Sequence, residues 1–397
     1  MIAEALLPSA PASALRTRSP VRVCFPFAGG AVGGSHISAV MLIKALDVCE
    51  FTPLVLLHRA EGPVVDLLRT AGIDFELAPQ PRYLTRSRHG SLRGALQAAA
   101  LTLRLARYLR RREIAIVHTN DGQMHATWGL AARLAGARLL WHHRGNPTAA
   151  GLRYLAPWLA NRVVAVSNYA APRPGRLSAA SKCSVVPSPF QASLASNVAT
   201  ETALRAELGL DRTTRIVGFF GNFTARKRPL IFVETIAAIL ARDPALDVVG
   251  LMFGDVLDPG LDVAVAARIH ELGLAGRVRV MGFRTPPEPW IALCDLMLVT
   301  AIEEPFGRTL IEAMMLGTPI IAAASGGNME AIRDGETGRL VAPDDVAAFA
   351  DAALALLREP ATATSFAATA RREVHERFSV ARHVRSITGI YRELIAA

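Results

Sequence analysis

From residue 21 to about residue 343, short apolar runs rich in β-branched residues alternate with longer Ala- and Leu-rich stretches of helical period. That alternation predicts parallel sheets with helices on both faces. In the first half, strands are expected at 21–25, 53–57, 114–118, 138–142 and 162–167. In the second half they are expected at 215–220, 247–253, 277–281, 296–300, 319–323 and 338–341. The series restarts after P-S-P-F-Q-A-S-L-A-S-N (187–197), a Pro- and Ser-rich stretch without periodicity that reads as a linker. Beyond Pro343 the pattern is helical to the end. The expected fold class is α/β, with two facing Rossmann-like domains and a central cleft. The expected division is a disordered tail over 1–19, a first domain over 20–187, a linker over 188–200, a second domain over 201–378 and a terminal helix over 379–397 bracing the two. Ligands of such sheets sit beyond the carboxyl ends of the strands, so facing sheets place a ligand between them.

Composition agrees with two packed cores. The chain has 397 residues, 51% apolar and 20% charged, which excludes a disordered polyelectrolyte. No apolar run reaches the roughly 20 residues of a spanning helix. The first 19 residues lack a basic region ahead of a long apolar core, so a cytoplasmic location is expected. Cys24, Cys49, Cys183 and Cys294 are far apart and lack CxxC spacing, which points to neither a disulfide framework nor a zinc site.

Charge is distributed unevenly. Residues 1–187 carry a net +14 and residues 188–397 a net −4. Much of the excess lies in Arg82, Arg86, Arg88, Arg93, Arg104, Arg107, Arg110, Arg111 and Arg112, within and around a stretch where Leu101, Leu105 and Tyr108 keep helical spacing. This is a basic amphipathic helix: either a core-facing helix with a solvated basic side, or a peripheral contact with an anionic membrane at its inner face. Nucleic acid is not the expected partner, since the segment lacks interleaved aromatics and no nucleic-acid-reading motif is present.

Three segments carry candidate chemistry. A-G-G-A-V-G-G-S-H (28–36) joins the first strand to a helix, and its glycines let backbone N–H groups approach an anion or a sugar. It is neither G-x-G-x-x-G nor a P-loop. G-N-F-T-A-R-K-R-P (221–229) sets three cations at the end of a strand, where one can neutralise a pyrophosphate. In A-I-E-E-P-F-G-R-T-L-I-E-A-M-M-L-G-T-P (301–319), Glu304 and Glu312 flank a helix start at Phe306 and Gly307. The amides there can bind phosphate while the carboxylates accept hydrogen bonds from hydroxyls on either side, an arrangement suited to a nucleotide sugar. I-V-H-T-N-D (116–121) and H-H-R-G (142–145) also end strands at the expected cleft.

On these motifs the sequence resembles the retaining GT-B glycosyltransferases of family 4 (glycosyl transferases group 1). The likeness is concentrated in residues 216–345, where E-P-F-G-R-T-L-I-E-A-M-M-L-G-T-P is similar to the family's E-x7-E segment. The resemblance implies transfer of a hexose from a UDP- or GDP-linked sugar to a hydroxyl of a lipid-linked or glycan acceptor, with retention, no cofactor and no metal. It also implies site roles. Glu304 would contact sugar hydroxyls, the Phe306 and Gly307 amides the phosphates, Glu312 the ribose, and Lys227 the diphosphate. Arg308 lies in the same donor segment. The family's arginine directly after Gly221 is replaced by Asn222, leaving Arg226 or Arg228 to compensate. Gly33 and Gly34 match the glycine pair of the first loop, and Gly326, Gly327 and Glu330 a later turn. I-V-H-T-N-D (116–121) matches the family's strand ending in a histidine-containing loop on the acceptor side, though many members carry the histidine two positions later, where this chain has Asn120; His118 is then either catalytic or a buried histidine bonded to backbone, and Asn120 and Arg144 would lie on the acceptor side. The absence of D-x-D agrees with a metal-independent reaction. A nucleotide-sugar epimerase or a non-catalytic nucleotide-sugar-binding protein are the alternatives on the same architecture. An epimerase would change the sugar of the donor with no acceptor present.

Overall fold

The computed structural model describes residues 19–84, 92–191 and 198–397. The expected tail before residue 19, Arg86, Arg88 and linker residues 192–197 lie outside the described residues.

The first domain is a parallel sheet of β1 (Val21–Phe27), β2 (Phe51–Leu57), β3 (Glu76–Leu77), β4 (Ile116–Thr119), β5 (Arg138–His143), β6 (Arg162–Ala165) and β7 (Cys183–Val185), in the order β3-β2-β1-β4-β5-β6-β7. Its helices are α1 (Gly34–Lys44), α2 (Pro63–Thr70), α3 (Leu92–Arg111), α4 (Gly122–Ala135) and the short α5 (Ala156–Leu159). The second domain begins with α6 (Val198–Leu208). Its parallel sheet contains β8 (Arg215–Phe220), β9 (Val248–Phe253), β10 (Val278–Gly282), β11 (Leu296–Val299), β12 (Ile320–Ala323) and β13 (Arg339–Val341), in the order β10-β9-β8-β11-β12-β13. Around it lie α7 (Pro229–Arg242), α8 (Leu261–Glu271), α9 (Glu288–Leu293), α10 (Arg308–Leu316), α11 (Asn328–Ala331), α12 (Val346–Arg358), α13 (Pro360–Arg377) and finally α14 (Val380–Ala396). Each sheet reverses its strand order beside its first strand, next to β1 in one and β8 in the other, and the loops at those points face the cleft.

The inner strands are apolar along their whole length because helices cover both faces. On one side of the first sheet Phe25, Phe27, Leu42 and Val65 pack together, and on the other Leu105, Trp128 and Trp141. The helices follow from their caps as well as their apolar stripes. Asp121 caps α4, accepting from the amides of Gln123 at 3.0 Å and Met124 at 2.9 Å, and Gly136 ends that helix at φ +81°. The terminal helix crosses back: Ile387, Ile390, Tyr391 and Leu394 of α14 join the core of the first domain, while Val374 and Phe378 just before it belong to the core of the second.

Two strands escape the periodicity. β3 and β7 have two and three residues, too few to show alternation. The expected 162–167 strand stops at Ala165, where the chain turns toward the second domain. The basic helix is present as α3, with Arg93, Arg104, Arg107, Arg110 and Arg111 exposed and Leu105 and Leu109 buried.

Candidate functional site at the cleft between the domains

On the second domain the site is built from the loops after β8 and β11. The turn holding Arg226 and Lys227 is fastened to the loop carrying Glu304: Ile302 N donates to Arg226 O at 3.0 Å, and the Thr300 hydroxyl to Lys227 O at 2.8 Å. Lys227 Nζ then lies 2.8 Å from Glu304 Oε2, and the Arg226 guanidinium reaches the same oxygen. Burial alone would raise the Glu304 carboxyl, but the charges of Lys227 and Arg226 outweigh it and hold the group below its ordinary value.

A glycine pair shapes this loop from behind. A Cβ on Gly326 would come within 2.7 Å of Glu304 backbone atoms, and one on Gly327 within 2.8 Å of Pro305 O. Gly307 then takes φ +73° at the start of α10, where first-turn amides lack partners inside the helix. The same helix start joins Lys227 through its neighbours: the Thr309 hydroxyl donates to Phe220 O at 3.4 Å, and the aliphatic stem of Lys227 lies over the adjacent Gly221. The cation and the amino end of α10 therefore occupy one face.

Arg308 crosses the cleft. Its Nε pairs with Glu312 Oε1 at 2.9 Å and its guanidinium carbon sits 4.5 Å from the Phe190 ring centroid. From there Nη1 donates to the Ser38 hydroxyl of the first domain at 3.4 Å. A Cβ on Gly34 would meet Arg308 Cδ at 3.0 Å, so the glycine gives the arginine its passage. Burial raises the Glu312 carboxyl, with Glu288 adding to the effect and Arg308 opposing it. Nearby, Glu330 accepts from the amides of Asn168 at 2.8 Å and Tyr169 at 2.7 Å, a second join between the domains.

These groups border a cavity of about 1810 Å³ that extends into the first domain. Arg226, Glu304, Phe306, Gly307 and Arg308 line it from one side, and Gly34, Asn120 and Arg144 from the other. Lys227 and Glu312 flank it through Glu304 and Arg308. Gly33 caps α1, its amide donating to His36 Nδ1 at 3.2 Å.

Three expected residues are placed differently. His118 is fully buried with Nδ1 2.6 Å from the Tyr391 hydroxyl and Nε2 3.0 Å from His142 Nδ1. Side-chain alternation on β4 points it under α14, away from the cavity. Arg228 is turned outward to Asp344, its Nε 3.1 Å from Oδ1, so Arg226 is the arginine that faces the site. Asn222 accepts from the Asp255 amide at 3.2 Å and ties two loops together rather than lining the cavity. The histidines that do line it are His36, His125 and His143; His143 lies in the H-H-R-G segment, where sequence assigns it no role, and His36 and His125 were not singled out. His36 follows the Gly33-Gly34 pair at the third position of its helix, a signal that was available.

Residues 214–359 match the glycosyl transferases group 1 family. The lipopolysaccharide core biosynthesis mannosyltransferase LpsB of Rhizobium meliloti (strain 1021) is 30% identical over 199 residues, 49% of this chain and 56% of that protein. The D-inositol 3-phosphate glycosyltransferase of Rhodococcus opacus (strain B4) is 37% identical over 181 residues, 45% of this chain and 40% of that protein. The matched region thus spans about half or less of these relatives. Among solved structures, Anabaena Alr3699/HepE in complex with UDP and glucose superposes with a TM-score of 0.78 at 24% identity, over 94% of this chain and 99% of that one. A glycosyltransferase from Rickettsia africae ESF-5 gives 0.78 at 22% identity, over 95% and 99%. The chain has the two-domain α/β fold of GT-B glycosyltransferase structures, and its residues 214–359 are similar to the glycosyl transferases group 1 family.

Proposed function

We propose that the protein is a glycosyltransferase that moves a hexose from a UDP- or GDP-linked sugar to a hydroxyl of a lipid-linked or polysaccharide acceptor, with retention and without a metal. The observation that carries the reading is the shared face of Lys227, Arg226, Glu304 and the amino end of α10. Breaking a glycosyl–phosphate bond builds negative charge on the leaving diphosphate. Oriented amides and a nearby cation meet that charge without reorganising, and one such contact is worth on the order of 3 kcal/mol of barrier. With the diphosphate bound, Lys227 and Arg226 share their charge with it, and Glu304 is released to accept hydrogen bonds from sugar hydroxyls. Glu312, one turn along α10, takes a ribose hydroxyl. The resemblance to retaining enzymes supports the stereochemical part.

The polypeptide is read as acting in the cytoplasm at the inner face of a membrane, supported by the exposed arginines of α3. Among the described residues no helix is long and apolar enough to cross a bilayer.

The test is incubation with labelled UDP- and GDP-hexoses and a lipid and glycan extract. Label should enter an acceptor with wild-type protein and fail to do so with Lys227→Ala. Conversion of the free donor without any acceptor would favour the epimerase, and absence of transfer and conversion despite tight donor binding would favour a binding protein.

A further inference from the structure

The cavity is larger than the roughly 300–1,000 Å³ of a single small-molecule site, and its first-domain part is unlike the donor part. On that side Arg144 is partly buried and has no carboxylate partner among the described residues. Its contacts are the Ser188 hydroxyl at 2.9 Å, Asn120 Oδ1 at 3.3 Å and His142 Nδ1 at 3.3 Å. Burial, with Arg308 adding repulsion, pushes the guanidinium down to about 9. Two buried donors at that point have no partner, Arg144 Nε itself and Asn120 Nδ2 of the side chain it contacts, and a third, Trp141 Nε1, belongs to the ring stacked on His125 elsewhere in the lining. Asn120 is 2% exposed and Trp141 1%, and both line the cavity. Buried unsatisfied donors around an uncompensated cation cost free energy in the empty site and are relieved by an anion. One neighbouring acceptor, Asp121 Oδ2, is likewise unpartnered, which suits a hydroxyl beside that anion.

Away from Arg144 the walls turn apolar. Ala98 and Ala99 of α3, Leu130 of α4, and Leu152, Leu155 and Trp158 of the 151–159 segment form an arm that opens to solvent, with Trp158 62% exposed. Large exposed apolar groups around a cavity mouth mark a binding groove for apolar matter.

We propose that this part of the cavity binds an amphiphile, an anionic group on Arg144 and Asn120 with an apolar chain along the arm. Naming that amphiphile the acceptor rests on the transferase reading above, whereas its binding does not.

The experiment is calorimetric titration of the full chain with dodecyl phosphate below its micelle concentration, beside dodecanol and inorganic phosphate, each with and without UDP or GDP. Dodecyl phosphate should bind at least tenfold more tightly than either partial probe, and together with the nucleotide. Arg144→Gln should remove the advantage over dodecanol, and Arg144→Lys restore part of it. Ala98→Trp, which fills the arm, should weaken dodecyl phosphate and dodecanol alike, and melting temperatures within a few degrees of wild type show that each variant folds. Equal binding of dodecyl phosphate and dodecanol overturns the anion site, and equal binding of dodecyl phosphate and inorganic phosphate overturns the arm. Displacement of dodecyl phosphate by the nucleotide overturns the assignment by placing the anion on the donor side. Lack of nucleotide binding with dodecyl phosphate still bound would sink the transferase reading and leave this site standing.

Discussion

Lys227 Nζ and Glu304 Oε2 lie 2.8 Å apart at the mouth of the cleft, with Arg226 on the same carboxylate oxygen. Both cations are therefore held in place before any diphosphate arrives. Lys227→Ala removes one and leaves the loop anchored through Ile302, Thr300 and Arg226, so the fold should survive. Transfer should fall about 10²–10³-fold in kcat/KM, read in a labelled-donor assay. A variant within a factor of two of wild type would contradict the role given to Lys227.

Gly327 isolates steric fit from backbone strain, because its φ is −67° and any residue can adopt it. A Cβ there would press on Pro305 O at 2.8 Å and Phe306 Cα at 3.0 Å. Gly327→Ala should therefore push the 304–306 loop away from Lys227. The expected signature is a melting temperature a few degrees lower, about 1–3 kcal/mol, with activity reduced by more than the lost fraction of folded protein explains.

Glu312 should make stability depend on pH in the opposite sense to an ordinary salt-bridged carboxylate. Burial raises its folded value above the unfolded one, so its ionisation weakens the fold as pH rises through that folded value. Glu312→Gln should be more stable than wild type at neutral pH, with the difference shrinking in acid below the unfolded carboxyl range, and should lose nucleotide-induced stabilisation. A melting-temperature profile over pH 4–8 reads both effects.

Much of this arrangement was legible in the chain. E-P-F-G-R-T-L-I-E could be placed because glycine and proline punctuate the turn and a helix period follows, and R-K-R stood at a strand end. What was not legible depends on side-chain direction and on distant partners. His118 differs from a cleft residue only in which way the last turn of β4 throws its side chain, which is set by the docking of Tyr391 some 273 residues later. Arg228 and Arg226 are two positions apart, and Asp344 decides between them. The absence of an acidic partner for Arg144 among the described residues is a three-dimensional fact with no spacing signature.

The buried histidines give a separate acid response. Burial lowers His118 and His142 well below their ordinary value, and His383, bonded to Pro187 O at 2.7 Å, down to about 3. The unfolded chain takes up protons near pH 6.5 that the folded chain refuses, so stability should fall as pH drops from about 6.5 toward 4, by up to about 1.4 kcal/mol per pH unit for each such group. His383→Gln should flatten the slope measured by urea unfolding at stepped pH. An unchanged slope would mean that α14 has already left the first domain in acid.

The exposed arginines of α3 predict salt-sensitive attachment to anionic vesicles. Each arginine near the surface contributes about 1 kcal/mol, so the double variant R104E/R107E should lose cosedimentation with phosphatidylglycerol-containing vesicles while keeping its melting temperature. Equal sedimentation of the variant and wild type would show that the arginines of α3 are not the attachment.

The most direct measurement is a crystal structure of the full chain soaked with UDP or GDP. The account predicts both phosphates at the amino end of α10, within hydrogen-bond distance of the Gly307 and Arg308 amides, with Lys227 Nζ turned from Glu304 toward them. Nucleotide bound with its phosphates elsewhere, and Lys227 still closed on Glu304, would contradict it.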